Sequence, residues 1–499
     1  MKEIWLSVFL LILASHNASA SAIEFPFEAQ VQGQSDLTSS LIDVPVVDHY
    51  KLRLVIDPEH HSLSGQADLS VRNSAARTVT VIPVLLYRLM DVEAASDAQG
   101  KTLPFIQKVL KFPDNQTWQA NSIQVTLPTP LAPGQTAMIR LKYAGPLFGY
   151  REVMAYVKDT ISEDYSLIRA ETMAYPMVAA PSYAGWRQFY GNKFDYDIET
   201  VVPAGLVAVC SGDEVGEPET QGGKSTYRCS GPPRSSQINV AIAKFRVLDD
   251  PDRKLRVYVL QADAEAGNQV MTEMRRALDF YRSYFGSPPR IGAMGAHVGL
   301  TLIEIPDGWG SYALRGHIFQ SAAAFKDPKN APELYHEVSH LWNAMASDRV
   351  VRTRWFDEAF ASYFETLAVR QFQGAEAFHA LLESYRETFN KRVARDPRGR
   401  TTPIADYSKE ELGVFSYSKG AWSLYVLHEF VGEQQFREII RTFLSEFGDK
   451  PADLKDFQRV VERVSHRDLG KYFNEWIYGA ASSQLLLDKI PISEIVKRY

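Results

Sequence analysis

The 499-residue sequence predicts an α+β chain, with a β-rich N-terminal half followed by a mainly helical half. Three observations carry this: alternating β-branched runs broken by turn signals from about Val44 to Phe245, a polar break at Asp249-Asp250-Pro251-Asp252, and helical periodicity in almost every segment after Ala331. We therefore expect a leader at 1–22, a β-rich domain at 44–250 and a second domain at 251–485.

The leader reads as a targeting signal. Lys2 supplies a positive start, Ile4 to Ala14 is apolar and uncharged, and Ala18-Ser19-Ala20 offers a small-residue cleavage site. The apolar run falls short of the ~20 residues that span a bilayer, so we expect export to the periplasm or the medium and no membrane span in the mature chain. Export fits the cysteines. Cys210 and Cys229 flank Gly222-Gly223, a pair suited to turning a hairpin, and a disulfide there would contribute about 3 kcal/mol by chain entropy.

In the N-terminal half, Tyr50 to Ile56, Ala67 to Val71 and Thr78 to Ile82 read as strands of a sandwich or saddle-shaped sheet. Beyond the polar break, Val270, Met274, Leu278, Tyr281 and Phe285 recur at helical spacing in Glu265 to Phe285, with Pro288-Pro289 as the expected stop. The stretch to Gln320 is Gly-rich and apolar, as for short strands at a cleft edge. Lys419 to Phe430, Glu433 to Phe447 and Asp453 to Val464 read as helices. The 54 basic and 60 acidic residues give a net charge of −6 without a long run of one sign, so nothing calls for nucleic acid as a partner.

The chemistry is concentrated in Glu333-Leu334-Tyr335-His336-Glu337-Val338-Ser339-His340, which contains H-E-x-x-H. On a helix, His336 and His340 fall on one face and can reach one ion, with Glu337 placed to take a proton from the attacking water. A chance match on a core helix is possible, so corroboration is needed. It comes from Trp355 to Glu365, which places Glu358 on the next helix. Two His and one carboxylate leave a fourth position open, the arrangement of a catalytic zinc site with one ion. Glu365, seven residues on, is placed to accept the free N–H of a ligating histidine.

With these segments, the sequence resembles the aminopeptidase N family of zinc metallopeptidases, which also contains the leukotriene hydrolases. His336 to His340, the Glu358 segment and Ser416-Tyr417-Ser418-Lys419-Gly420-Ala421 match its motifs in order, and looser similarity runs from Gly65 to Ile477. The resemblance implies a β-saddle domain followed by a thermolysin-like catalytic domain, a zinc-dependent hydrolysis of peptide or protein substrates, and Tyr417 as the donor to the oxyanion. It also implies that the further helical domain of the longest members is missing or much reduced, which would open the cleft.

Three departures stand out. The 17 residues between His340 and Glu358 are one fewer than the family's usual spacing. Leu341-Trp342-Asn343-Ala344-Met345 keeps the family's Trp and loses its Gly-Asn. The strand that anchors the substrate amine aligns with Gly310-Ser311-Tyr312-Ala313-Leu314, which puts Ala313 where the family has a glutamate. Glu171 and Glu304 are candidate replacements. An endopeptidase, a peptidase for blocked or unusual N-termini, and an inactive binding scaffold are the alternatives to an aminopeptidase-like enzyme.

Overall fold

The protein is described by a computed structural model over residues 44–154, 157–231, 235–288, 299–314, 316–448 and 450–499. The expected leader at 1–22 lies outside the described residues.

The N-terminal half is built on an eight-stranded sheet. Its centre is the strand Val46–Asp57, paired antiparallel with Ser62–Arg72 and parallel with Asp195–Pro203. Along Ser62–Arg72, Leu63, Gly65, Ala67, Leu69 and Val71 are buried while the intervening residues are more exposed. That alternation follows from the two-residue period of a strand with one face on a core. Gly65 is required there because a Cβ would lie 2.3 Å from the Tyr143 ring. A second sheet, ordered Phe105–Phe112, Asn115–Leu131, Val79–Tyr87 and Met177–Val178, packs into the same hydrophobic cluster.

The expected hairpin forms between Glu219–Gln221 and Lys224–Ser230. Gly222 and Gly223 both have positive φ (59° and 75°), as a tight turn of this type requires. Cys210 and Cys229 are joined by a disulfide.

The polar run Asp249 to Asp252 is not a break between folding units. Phe245–Asp250 pairs antiparallel with Leu255–Leu260 across it, so it is a hairpin turn inside one sheet. That five-stranded sheet continues through Leu300–Ile305 and His317–Ser321 to the edge strand Tyr312–Leu314. The helix Ala264–Phe285 packs against it, burying Val270, Met274, Leu278, Tyr281 and Phe285. It ends at Gly286, whose φ of 89° breaks it ahead of the two prolines.

Helices follow from Ala323. The segments expected from periodicity appear as Lys419–Val431, Glu433–Phe447 and Leu454–Ser465, the last opened by a capping box between Asp453 and Asp456. Helices Ala481–Leu487 and Ile492–Val496 pack beyond residue 485 through Leu486 and Ile495 into the same core. Among the described residues, no helix is long and apolar enough to cross a membrane.

Candidate active site

A cleft of about 810 Å³ separates the edge strand Tyr312–Leu314 from the helical half. Its floor is the helix Ala331–Ser339. Leu334 and Val338 anchor this helix in the core, which turns His336, Glu337 and the following His340 to the cleft. Packed against it is the helix Phe360–Gln373, entered through a wide π turn at Trp355–Ala359. Ala359 N–H reaches back to Arg354 C=O at 3.3 Å. Such a turn inserts a residue without breaking the helix and recurs at functional sites. Here it delivers Glu358 to the histidines despite the short connection.

The nearest ligand atoms of His336, His340 and Glu358 lie within 4.8 Å of one another. His336 Nε2 is 3.2 Å and His340 Nε2 3.7 Å from the same Glu358 oxygen, Oε2. Glu365 Oε2 stands 3.2 Å from His336 Nδ1 and accepts the Tyr385 hydroxyl at 2.5 Å. Without an ion each ring nitrogen of His336 faces a carboxylate and can donate to it, whereas a ligating His336 keeps its one proton on Nδ1 toward Glu365 and frees Nε2. Lone pairs converging at these distances repel unless a cation lies among them. The donor set fits one zinc ion with an open position.

Without an ion, burial and the neighbouring charges act differently on each group. Burial opposes charging His336, but its bonds to Glu358 and Glu365 outweigh burial and hold its pKa well above the ordinary value. Burial dominates at His340 and lowers it to about 3, so this imidazole is neutral and ready to bind metal. Glu358 is held below the usual carboxylate range despite its burial, by Arg354 and the two histidines. Glu337 is pushed up to about 8, by burial first and by its acidic neighbours next. Its Oε2 is buried without a hydrogen-bond partner and lies 4.0 Å from His340 Nε2. A dication at the triad would draw Glu337 down from that value, toward the range a general base needs.

Tyr417 closes the 3₁₀ turn Gly413–Tyr417 and lines the same cleft. Its ring lies parallel to the His336 imidazole with centroids 6.1 Å apart, and its hydroxyl engages Glu358. His336, Glu337, His340, Glu358, Glu365 and Tyr417 thus line one cleft.

Two contacts were not legible in the sequence. Arg354, in a left-handed conformation (φ 55°), donates to Glu358 Oε1 and, at 2.5 Å, to Asp357 Oδ2. Asn343, in the segment that departs from the family pattern, has its amide 2.7 Å from His340 Nδ1, and its Oδ1 is buried without a partner. Half a turn of that amide presents the oxygen to the Nδ1–H that a ligating His340 carries.

The two candidate amine anchors separate. Glu171 lines the cleft beside Arg169, with Oε2 and Nε 3.9 Å apart. Glu304 is committed elsewhere: its Oε2 accepts Leu260 N–H at 2.6 Å beside Asp263. Ala313 lines the cleft and brings no charge to it.

Residues 319–476 match the description "Peptidase family M1 domain". The chain is 22% identical over 323 residues to the tricorn protease-interacting factor F2 of Thermoplasma acidophilum, covering 61% of this chain and 39% of that protein. It is 23% identical over 310 residues to the leucyl aminopeptidase of Saccharolobus solfataricus, covering 57% and 38%. It thus spans about two fifths of the length of these curated relatives. In fold it is similar to the M1 zinc metallopeptidase of Deinococcus radiodurans, with a TM-score of 0.55, 19% identity and coverage of 87% of this chain and 94% of that one. The segment that carries the candidate ligands thus matches the peptidase family M1 domain, and the chain is similar in fold to an M1 zinc metallopeptidase.

Proposed function

We propose that the protein is a zinc-dependent, aminopeptidase-like peptidase. The observation that carries this is the convergence of His336, His340 and Glu358 on one point of a cleft that also presents Glu337 and Tyr417. When bound, zinc lowers the pKa of water from ~15.7 toward ~7 and polarises the scissile carbonyl. Glu337 takes the proton of the attacking water on its unpartnered carboxylate oxygen and returns it to the leaving nitrogen. The Tyr417 hydroxyl donates to the oxyanion that develops on the substrate. Glu365 and Asn343 hold the two imidazole rings in the tautomer that leaves Nε2 free.

The test is a screen of aminoacyl and internally quenched peptides, with and without a chelator. Hydrolysis that is abolished by chelation and restored by zinc is expected. A zinc-loaded protein inert to every peptide overturns the reading.

A second reading is favoured by Ala313, which leaves the edge strand without an acid. It is an endopeptidase, or a peptidase for blocked N-termini. Paired free and N-acetylated peptides decide it, because strict dependence on the free amine excludes it.

We further propose that the chain is exported. The leader pattern at 1–22 and the Cys210–Cys229 disulfide support this, since disulfides persist in oxidising compartments. Fractionation of expressing cells, with the mass of the mature N-terminus, tests it.

A further inference from the structure

Glu333 lies three residues before His336 and four before Glu337 on the floor helix, so the three side chains share its cleft face, with a rise of about 4.5 Å between Glu333 and His336. Its Oε1 accepts the Ser311 hydroxyl. That hydroxyl itself accepts Gln320 Nε2 at 2.9 Å and Ser321 N–H at 2.8 Å. Both acceptor positions of Ser311 are therefore filled, its proton has one direction left, and Glu333 is fixed across the gap between helix and sheet. An acid near a helix start often serves the helix itself, by capping or by meeting its dipole. Glu333 bonds the sheet instead, and its other oxygen, Oε2, is free among the described residues.

The charges that act most directly on Glu333 are mainly acidic. Asp307 and Glu365 act on Glu333 with the same sign, His336 opposes them, and Glu171 lines the same cleft. Arg169, the basic group beside Glu171, is taken up by Asp159 through a buried ion pair at 2.7 Å. A half-buried carboxylate with one oxygen fixed and one open is suited to a compact donor such as a primary ammonium.

We propose that Glu333 is a specificity-determining residue that receives a primary ammonium group of the substrate through Oε2. The ammonium is either the peptide's α-amine or a lysine side chain next to the scissile bond. This rests on the peptidase reading given above, and its test is arranged to survive failure of that reading.

The test compares wild type with Glu333→Gln, which keeps length and can still accept Ser311. Norleucinamide, N-acetylnorleucinamide, lysinamide and N-acetyllysinamide are titrated calorimetrically into the zinc-loaded proteins, so turnover is not needed. KM and kcat are measured on matching peptides. We expect a loss of affinity of about 10- to 100-fold for ammonium-bearing ligands, the usual worth of a hydrogen bond to a charged group, with the N-acetylnorleucine ligand unchanged. Loss tied to the α-amine or loss tied to the lysine side chain supports the proposal and identifies the source. Equal weakening of charged and neutral ligands, or no change, overturns it. If wild type binds these ammonium ligands but hydrolyses nothing, the peptidase reading fails while the Glu333 assignment is still decided. Should Glu333→Gln not fold, Glu333→Asp withdraws the carboxylate by one methylene and is expected to show the same selectivity.

Discussion

Arg354 donates to Oε1 of Glu358 while Oε2 of the same carboxylate faces His336 and His340, so one oxygen is held by a guanidinium and the other is left to the metal. The Arg354 side chain is 45% exposed and Glu358 only 6%. Without zinc, Arg354 is therefore the main countercharge of a buried carboxylate; with zinc, the ion takes that role. Arg354→Met is expected to destabilise the zinc-free protein by about 1–2 kcal/mol, below the cost of breaking a fully buried pair because the arginine is solvated. The zinc-loaded form should lose less. Scanning calorimetry of both forms checks this, and equal losses would count against it.

Glu365 reaches the opposite ring nitrogen of His336 and is held by Tyr385. Glu365→Gln is expected to weaken zinc binding by about 10- to 100-fold, and Tyr385→Phe by less. Competition with a chromogenic chelator measures both without reference to turnover.

Glu337→Gln and Tyr417→Phe should separate chemistry from metal binding. Loss of the base is expected to lower kcat by ~10²- to 10⁴-fold, and loss of the tyrosine hydroxyl by ~10²- to 10³-fold. Metal analysis should find one zinc per chain in each variant. Retention of full activity by Glu337→Gln would remove it from the mechanism.

Two buried groups outside the site give stability opposite pH dependences. Burial lowers Lys419 to about 7, with its amine 3.0 Å from Ser483 Oγ. Between pH 7 and 10.5 the unfolded chain then binds more protons, so this group's contribution is complete above 10.5 and is lost as pH falls toward 7. Burial raises Glu304 to about 8, with Asp263 adding to the shift. Its contribution is complete below 4.5 and is lost as pH rises through 8. Urea unfolding of Lys419→Met across pH 7–10 and of Glu304→Gln across pH 4.5–8 should each show a flatter profile than wild type in its own window.

What the sequence determined is local and periodic. Helical spacing puts His336, Glu337 and His340 on one face, strand alternation gives the faces of Ser62–Arg72, and Gly222-Gly223 marks a hairpin, because each depends on neighbours along the chain. The polar run Asp249 to Asp252 misled for a related reason: a hairpin turn and a linker have the same composition, and only the pairing of Phe245–Asp250 with Leu255–Leu260 tells them apart. Tertiary packing decided the rest. The grip of Glu358 and Glu365 on opposite nitrogens of His336, the Arg354 contact, the exclusion of Glu304 from the cleft and the bridge from Ser311 to Glu333 depend on how separate segments are set against one another. A carboxylate's role is fixed by what it faces across that gap, and no spacing along the chain encodes it.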